Sequence, residues 1–467
     1  MAQPLYTVTV MEQSQVAPPP SSVPATTIPL SFFDIPWLLC RPMQRLFFYE
    51  APQPTNYFTQ AILPTLKHSL SLTLQRFFPL AANLVCPPPQ THKPYILYAE
   101  GNSVPFTVVE AAGDFNHLVA SYPRDVRELH HFVPQLPPTH VSSDKTRVIP
   151  LMAMQVTVFP NEGICIGITF CHMAADGRAF HHFMKSWASL CRTGGDLTCL
   201  DRSPPFHDRA VMKDPNGLEQ NFLEDWWNWG SAWTDDTGLI NDFAEKVRAT
   251  FVLGRAHIEG LKQWVKGQCM NKEALELEPL HVSTFVVTCA FIWVCLIKSQ
   301  YNGASDFSDN SELFYFAFVA DCRNRLKFPV PSTYFGNCLA ICIVALEKGE
   351  LLGETGIFEA VKVIGNKVRQ SETEALRGAE TWLLDWKEKS ETGTLVTVAG
   401  SPRLGVYETD FGWGRPKKSE VVHIDVTGAV SLAECRDEEG GIEVGLALSR
   451  KNIAHFTAIW EQSLKLF

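Results

Sequence analysis

The chain has 467 residues, enough for two domains and a large core. Its 46% hydrophobic and 19% charged residues make an ordinary soluble globular mix. The net charge of -10 favours neither nucleic acid nor an anionic membrane as partner, and an anionic ligand would need a local basic pocket.

No apolar run reaches about 18 residues without a charge, so no membrane span is predicted. The N-terminus lacks a basic segment and apolar core and reads as mature protein, which puts the expected location in the cytosol. The thirteen cysteines form no Cys-x-x-Cys pair and read as small buried hydrophobes in a reducing compartment. No His/Cys cluster has metal-ligand spacing, so no metal is expected.

In chain order, residues 7–10 read as a short strand, and Pro18, Pro19, Pro20, Pro24 and Pro29 then impose an extended stretch. An aromatic-rich strand region runs through Phe32-Phe33-Asp34-Ile35-Pro36-Trp37 to Phe47-Phe48-Tyr49. Leu63, Leu66, Leu70, Leu74 and Phe77 mark a helix ending near Pro79. Strands are predicted at 95–98 and 106–109. A hairpin is predicted over 151–159 and 163–170, with its turn at Pro160-Asn161-Glu162-Gly163.

The second strand of that hairpin leads into Cys171-His172-Met173-Ala174-Ala175-Asp176-Gly177-Arg178. Phe180, Phe183, Met184, Trp187 and Leu190 then recur at helical spacing. A histidine at the end of a buried strand has a fixed backbone and a ring that projects where the sheet stops. An imidazole held there can take a proton near working pH. The His-x-x-x-Asp spacing alone is weak: with 14 His, about one copy arises by chance. His140 and Asp144 form such a decoy, without the apolar strand before it or a glycine after it.

Residues 192–222 are rich in Gly, Pro and Asp and read as a linker. The predicted organisation is a first domain over 1–205, a crossover at 206–222 and a second domain over 223–467. Trp226, Trp227, Trp229 and Trp233 read as packing against a helix or the domain interface. Ser283 is placed to cap a helix over 284–298 that is apolar nearly all round. Strands are predicted at 313–320, 339–345, 395–399, 421–426, 430–435 and 442–448, and helices at 357–368, near 375–386 and at the C-terminus. Mixed strands and helices in two halves predict an α/β fold with mixed sheets.

Far downstream of His172 lies Asp410-Phe411-Gly412-Trp413-Gly414. This pentapeptide, with His172-x-x-x-Asp176-Gly177, resembles the plant BAHD family of acyl-CoA-dependent acyltransferases. Tyr334-Phe335-Gly336-Asn337-Cys338, the aromatic run at 32–49 and Ser283-Thr284-Phe285-Val286-Val287-Thr288 resemble its anthocyanin and flavonoid branch. The likeness covers nearly the whole chain and narrows to enzymes that malonylate phenolic or flavonoid glucosides.

The resemblance implies two similar-sized domains related to chloramphenicol acetyltransferase, with mixed sheets flanked by helices and an active channel between them. The segment near 395–415 would pack back on the first domain. It implies malonyl-CoA as co-substrate, no bound cofactor, a phenolic glucoside as the other partner, and a monomer. His172 would be the general base for a sugar hydroxyl attacking the thioester in a ternary complex, the proton passing on to the leaving CoA thiolate. Asp176 would point away from His172 and pair with Arg323 or Arg325, while Gly177 permits the strand-to-helix turn.

Gly412 and Gly414 allow a tight loop. Asp410 is expected to matter to activity, and Trp413 offers one N–H to the oxyanion, against the competing reading of a purely architectural loop. A malonyl carboxylate needs a cation, for which Arg178 is the first candidate and Arg403 and Arg415 are rivals. Ser283 and Thr284 offer hydroxyls and free N–H groups to a CoA phosphate, although capping alone accounts for Ser283. His181 and His182 read as packing or surface residues. The alternatives are a hydroxycinnamoyl or other acyl-CoA donor on the same acceptors, and an inactive member that only binds CoA or glucosides.

Overall fold

The computed structural model describes residues 7–229, 243, 245–271, 280–301 and 310–467. The hairpin that carries His172 is its centre. Met152–Phe159 and Gly163–Phe170 pair antiparallel in full register from Met152–Phe170 to Phe159–Gly163. Asn161 takes a positive φ of 63° to close the turn. Both strands are buried on both faces, as an unbroken apolar run requires.

This hairpin sits inside a six-stranded mixed sheet. Its order is Thr7–Val16, Val104–Ala112, Met152–Phe159, Gly163–Phe170, Met43–Glu50 and Lys418–Val421. The helix Gly177–Arg192 covers one face and buries Phe180, Phe183, Met184, Trp187 and Leu190. A seven-stranded mixed sheet runs Leu339–Glu347, Leu313–Asp321, Leu395–Gly400, Val430–Glu434, Ile442–Ser449, Lys246–Leu253 and Arg124–Asp125. The buried helix Thr284–Gln300 packs with Gly356–Thr373 and Arg450–Leu464 in this half. The fold is α/β with mixed sheets and flanking helices.

A third, five-stranded sheet was not anticipated. It joins Thr26–Pro29, Tyr95–Tyr98, Asn83–Cys86, Arg147–Pro150 and His140–Val141, all antiparallel. It absorbs the decoy His140, which lies exposed on a two-residue edge strand.

The two halves exchange strands. Lys418–Val421 adds to the first sheet beside Met43–Glu50, and Arg124–Asp125 adds to the second beside Lys246–Leu253. A buried charge cluster ties the exchange together. Arg124 pairs with Glu420, Arg248 reaches Glu420 at 3.1 Å and Asp425 at 3.2 Å, and His130 meets Asp425 at 3.1 Å.

Three predicted elements differ. The aromatic stretch through 32–37 was expected as strand, yet Ile35–Leu39 is a 3₁₀ turn with Pro36 near its start, and pairing begins only at Met43. Residues 421–426 were expected as a strand, but pairing ends near Val421 and Ile424–Thr427 is one helical turn. Asp425 is drawn to Arg248 and His130, and Gly428 at φ 69° stops the turn. The helix expected near 375–386 forms later, at Trp382–Glu391. Among the described residues no helix is long and apolar enough to cross a membrane.

Candidate active site

Between the two large sheets runs a channel of about 2120 Å³. His172 opens a 3₁₀ turn, His172–Ala174, directly after the strand Gly163–Phe170, and its half-buried ring meets the channel. The Trp37 ring stacks on it, with centroids 3.9 Å apart and planes 11° from parallel. Desolvation dominates this setting and pushes the pKa of His172 down to about 4. The ring is therefore a neutral base near neutral pH.

Asn337 decides which nitrogen is the base. Its Nδ2 faces three acceptors: Asp34 Oδ1 at 3.1 Å, the His172 carbonyl at 3.0 Å and the Met173 carbonyl at 3.1 Å. That surround fixes the amide orientation and turns Oδ1 toward His172 Nδ1, 3.1 Å away. A carboxamide oxygen only accepts, so Nδ1 carries the hydrogen and Nε2 keeps its lone pair.

Buried groups hold Asn337 in turn. Asp34 Oδ1 also accepts from the Asn337 backbone at 3.0 Å, while Oδ2 accepts from Ser31 N–H, Ser31 Oγ and Arg209 Nε. Arg209 Nη1 donates to the Phe335 carbonyl. A Cβ on Gly336 would come within 2.6 Å of that guanidinium, so the approach requires glycine. Arg323 Nη2 donates to the carbonyls of Tyr334 and Gly336 at 3.1 and 3.2 Å. Two arginines thus clamp residues 334–336.

Asp176 is fully buried and belongs to this clamp rather than to the imidazole. Its Oδ1 caps Gly177–Arg192 through Ala179 N–H, and its Oδ2 meets Arg323 at 2.8 Å and Cys338 N–H at 3.2 Å. Arg325 instead donates to Ser371 Oγ. Gly177 begins the helix without a positive φ. Its lack of a side chain matters for closeness, because a Cβ there would meet Leu404 at 3.2 Å.

Asp410 and Trp413 stand off the channel wall. Asp410 Oδ1 accepts from Gly412 and Gly414 N–H at 2.8 and 2.9 Å, closing its own loop, and Arg192 lies 3.7 Å away. Gly412 and Gly414 take φ of 102° and 87°, which the loop demands of them. Trp413 packs edge-on against Tyr49 and stacks on Phe411. The strand Leu395–Gly400 stays in the second sheet, and it is Phe411, Trp413 and Lys418–Val421 that return to the first half.

Arg178, Arg403, Ser283 and Thr284 do line the channel, and Arg415 does not. Arg178 is engaged with Asp321 at 3.0 Å, and Ser283 Oγ is engaged as helix cap to Val286 N–H at 3.3 Å. Of the tryptophan group, Trp226, Trp227 and Trp229 pack on the first core, Trp229 also facing the channel, while Trp233 lies outside the described residues. His182 donates through Nε2 to the Ser203 carbonyl at 3.0 Å. Sequence reasoning missed Asp34, Asn337 and Arg209. The 334–338 motif was visible and could have pointed to Asn337 as its one side-chain amide.

A chain-long family model, described as the Transferase family, matches residues 6–463. Coumaroyl-CoA:anthocyanidin 3-O-glucoside-6''-O-coumaroyltransferase 1 of Arabidopsis thaliana is 41% identical, with 98% of each chain covered. Malonyl-coenzyme A:anthocyanin 3-O-glucoside-6''-O-malonyltransferase of Dahlia pinnata is 38% identical over 98% of this chain and 97% of its own. The solved structure of vinorine synthase superposes with a TM-score of 0.65 at 18% identity, covering 96% of both chains. The chain belongs to the Transferase (BAHD) family and is an acyl-CoA-dependent acyltransferase.

Proposed function

We propose that the chain transfers a malonyl group from malonyl-CoA to a sugar hydroxyl of a phenolic or flavonoid glucoside, with His172 Nε2 as general base. The observation that carries the base assignment is the Asn337 contact, which leaves Nε2 unprotonated toward the channel. As the acceptor oxygen attacks the thioester carbon, its proton passes to Nε2. Nδ1–H remains bound to Asn337, which holds the imidazolium in place. Collapse of the tetrahedral intermediate breaks the C–S bond, and Nε2 returns the proton to the CoA thiolate. No acyl-enzyme is needed. Such proton transfer contributes about 10²–10⁴-fold in rate.

The similarity to malonyltransferases supports the malonyl donor, and cationic side chains on the channel wall suit it. The 41% identity to a coumaroyltransferase favours a second reading, the same reaction with a hydroxycinnamoyl donor. In either case Asp410 and Trp413 act on the architecture behind the channel, and the halves 1–205 and 223–467 work as two lobes around one site. Purified protein given malonyl-, acetyl- and coumaroyl-CoA with a mixture of glucosides decides the donor by mass spectrometry. Malonylated glucosides as the dominant product are expected, and coumaroylated ones alone would install the second reading.

A further inference from the structure

Arg45 sits in the middle of Met43–Glu50, between Ile168 on one neighbouring strand and Val421 on the other. It is 5% exposed and lines the same channel as His172. Three of the other channel cations are already neutralised, Arg178 by Asp321 at 3.0 Å, Lys185 by Glu408 at 2.6 Å and Arg323 by Asp176 at 2.8 Å, while the rival Arg403 on the same channel lies on an exposed loop and not in a buried strand. The Arg45 guanidinium has no hydrogen bond or ion pair among the described residues. Glu434 is the acid whose charge it feels, from beyond ion-pair distance. One oxygen of Glu434 accepts from Tyr407 N–H at 3.0 Å, and the other is buried without a partner among the described residues. A guanidinium buried without a partner is costly to fold, and it makes sense where a ligand completes the pair.

Two imidazoles stand on the same wall. His423 is 8% exposed, and its Nδ1 accepts from Gln44 N–H at 3.4 Å. The hydrogen is therefore on Nε2, which has no partner among the described residues and faces a ligand as a donor. His181, 1% exposed, has no partner at either ring nitrogen among the described residues. Burial first, and the charge of Arg45 after it, hold both histidines below the usual range and so neutral. Burial raises the Glu434 pKa and so weakens the negative charge beside Arg45, and the single cation left matches one carboxylate and not a phosphate chain. The same charge reaches the His172 ring, so the pocket serves the reacting end of the donor.

We propose that Arg45, with the Nε2–H of His423, is the subsite for the free carboxylate of a dicarboxylic acyl-CoA donor. The proposal rests on the malonyl-transfer reading above and moves the carboxylate clamp from Arg178 to Arg45. A monocarboxylic acyl group such as acetyl or coumaroyl would leave this pair unfilled.

Isothermal titration of the full chain with malonyl-CoA and acetyl-CoA tests it, in wild type, Arg45→Met, Arg45→Lys and Arg178→Met. Wild type is expected to bind malonyl-CoA about ten-fold or more tighter than acetyl-CoA, the margin of one charge-assisted pair. Arg45→Met should lose that preference while keeping its acetyl-CoA affinity and its melting temperature. Arg45→Lys should keep part of it, and Arg178→Met most of it. An Arg45→Met protein that still prefers malonyl-CoA, or that loses both donors and melts early, overturns the Arg45 assignment and leaves malonyl transfer standing. A wild type that transfers only coumaroyl groups and shows no malonyl preference overturns both.

Discussion

The two motifs that mark this chain are built on opposite principles. Around His172 the structure is polar and wired: Asp34, Asn337, Asp176, Arg209 and Arg323 are all buried, and each is held by hydrogen bonds that cross between the halves. Around Asp410–Gly414 it is aromatic: Tyr49, Trp187, Phe411 and Trp413 interlock, and the Asp410 carboxylate serves its own loop. The first arrangement fixes one nitrogen lone pair in a channel. The second fixes where the chain re-enters the first sheet at Lys418–Val421. The contrast predicts that damage to one motif lowers rate and damage to the other lowers stability.

The largest effect tests the first half of that contrast. His172→Ala should cut kcat about 10²–10⁴-fold while the melting temperature holds, because its ring lies at the channel wall and not in the core. An active His172→Ala enzyme would end the general-base mechanism. The pH profile sharpens the same point. Since burial depresses the pKa of His172 to about 4, kcat/KM should stay level down from neutral and fall only as pH drops through that region. A midpoint near 6.5 would mean that the ring is solvated and that its setting gives no shift.

Asp176→Ala comes next and crosses the contrast, because it strikes the wiring without touching the base. It leaves Arg323 buried with the part-exposed Asp321, at 3.0 Å, as its remaining acid partner and uncaps Gly177–Arg192, at a cost of about 3 kcal/mol. The enzyme should melt early, and because the Asp176 charge raises the pKa of His172, its surviving folded fraction should show the acid limb displaced to lower pH. An acid limb that stays in place in that fraction would mean that Asp176 acts on the fold alone and that its charge does not reach the imidazole.

Local pattern made the frame of this site legible, and distance in sequence hid the rest. The strand, the turn and the helix Gly177–Arg192 follow from an apolar run and a 3.6-residue period, both read within a short window. Asn337 lies 165 positions from His172, and Asp34 lies 303 from Asn337. No periodicity links them, and only the folded chain shows that the amide orients the ring. The stretch around Arg209 misled for a related reason. Its glycines, prolines and aspartates do mark turns, yet Phe206 bridges to Tyr334 and Arg209 is among the most buried cations. At 421–426 a β-branched run suggested a strand, and the tertiary pull of Arg248 on Asp425 bent it into a turn instead.

Asp410→Ala tests the second motif at a smaller scale. Two backbone N–H groups lose their acceptor in a half-exposed loop, so the expected loss is about 1–3 kcal/mol of stability. Turnover per folded molecule should hold. A fall in kcat of a hundred-fold, with an unchanged melting temperature, would return Asp410 to the chemistry.

Trp413→Phe is the finest cut, because it removes one N–H and keeps most of the ring stack. If that N–H reached the oxyanion, its loss would cost about 2.7–4 kcal/mol in the barrier, or 10²–10³-fold in kcat. The Trp413 ring lies against Tyr49 and Phe411 and away from the channel wall. The expected change is therefore under three-fold in kcat, with stability lowered by about 1 kcal/mol from lost aromatic contact. Comparing single-turnover rates of Trp413→Phe and His172→Ala on one donor places the two motifs on one scale. Near-equal losses would erase the division between a wired channel and an aromatic brace, since both would then act on the same transition state.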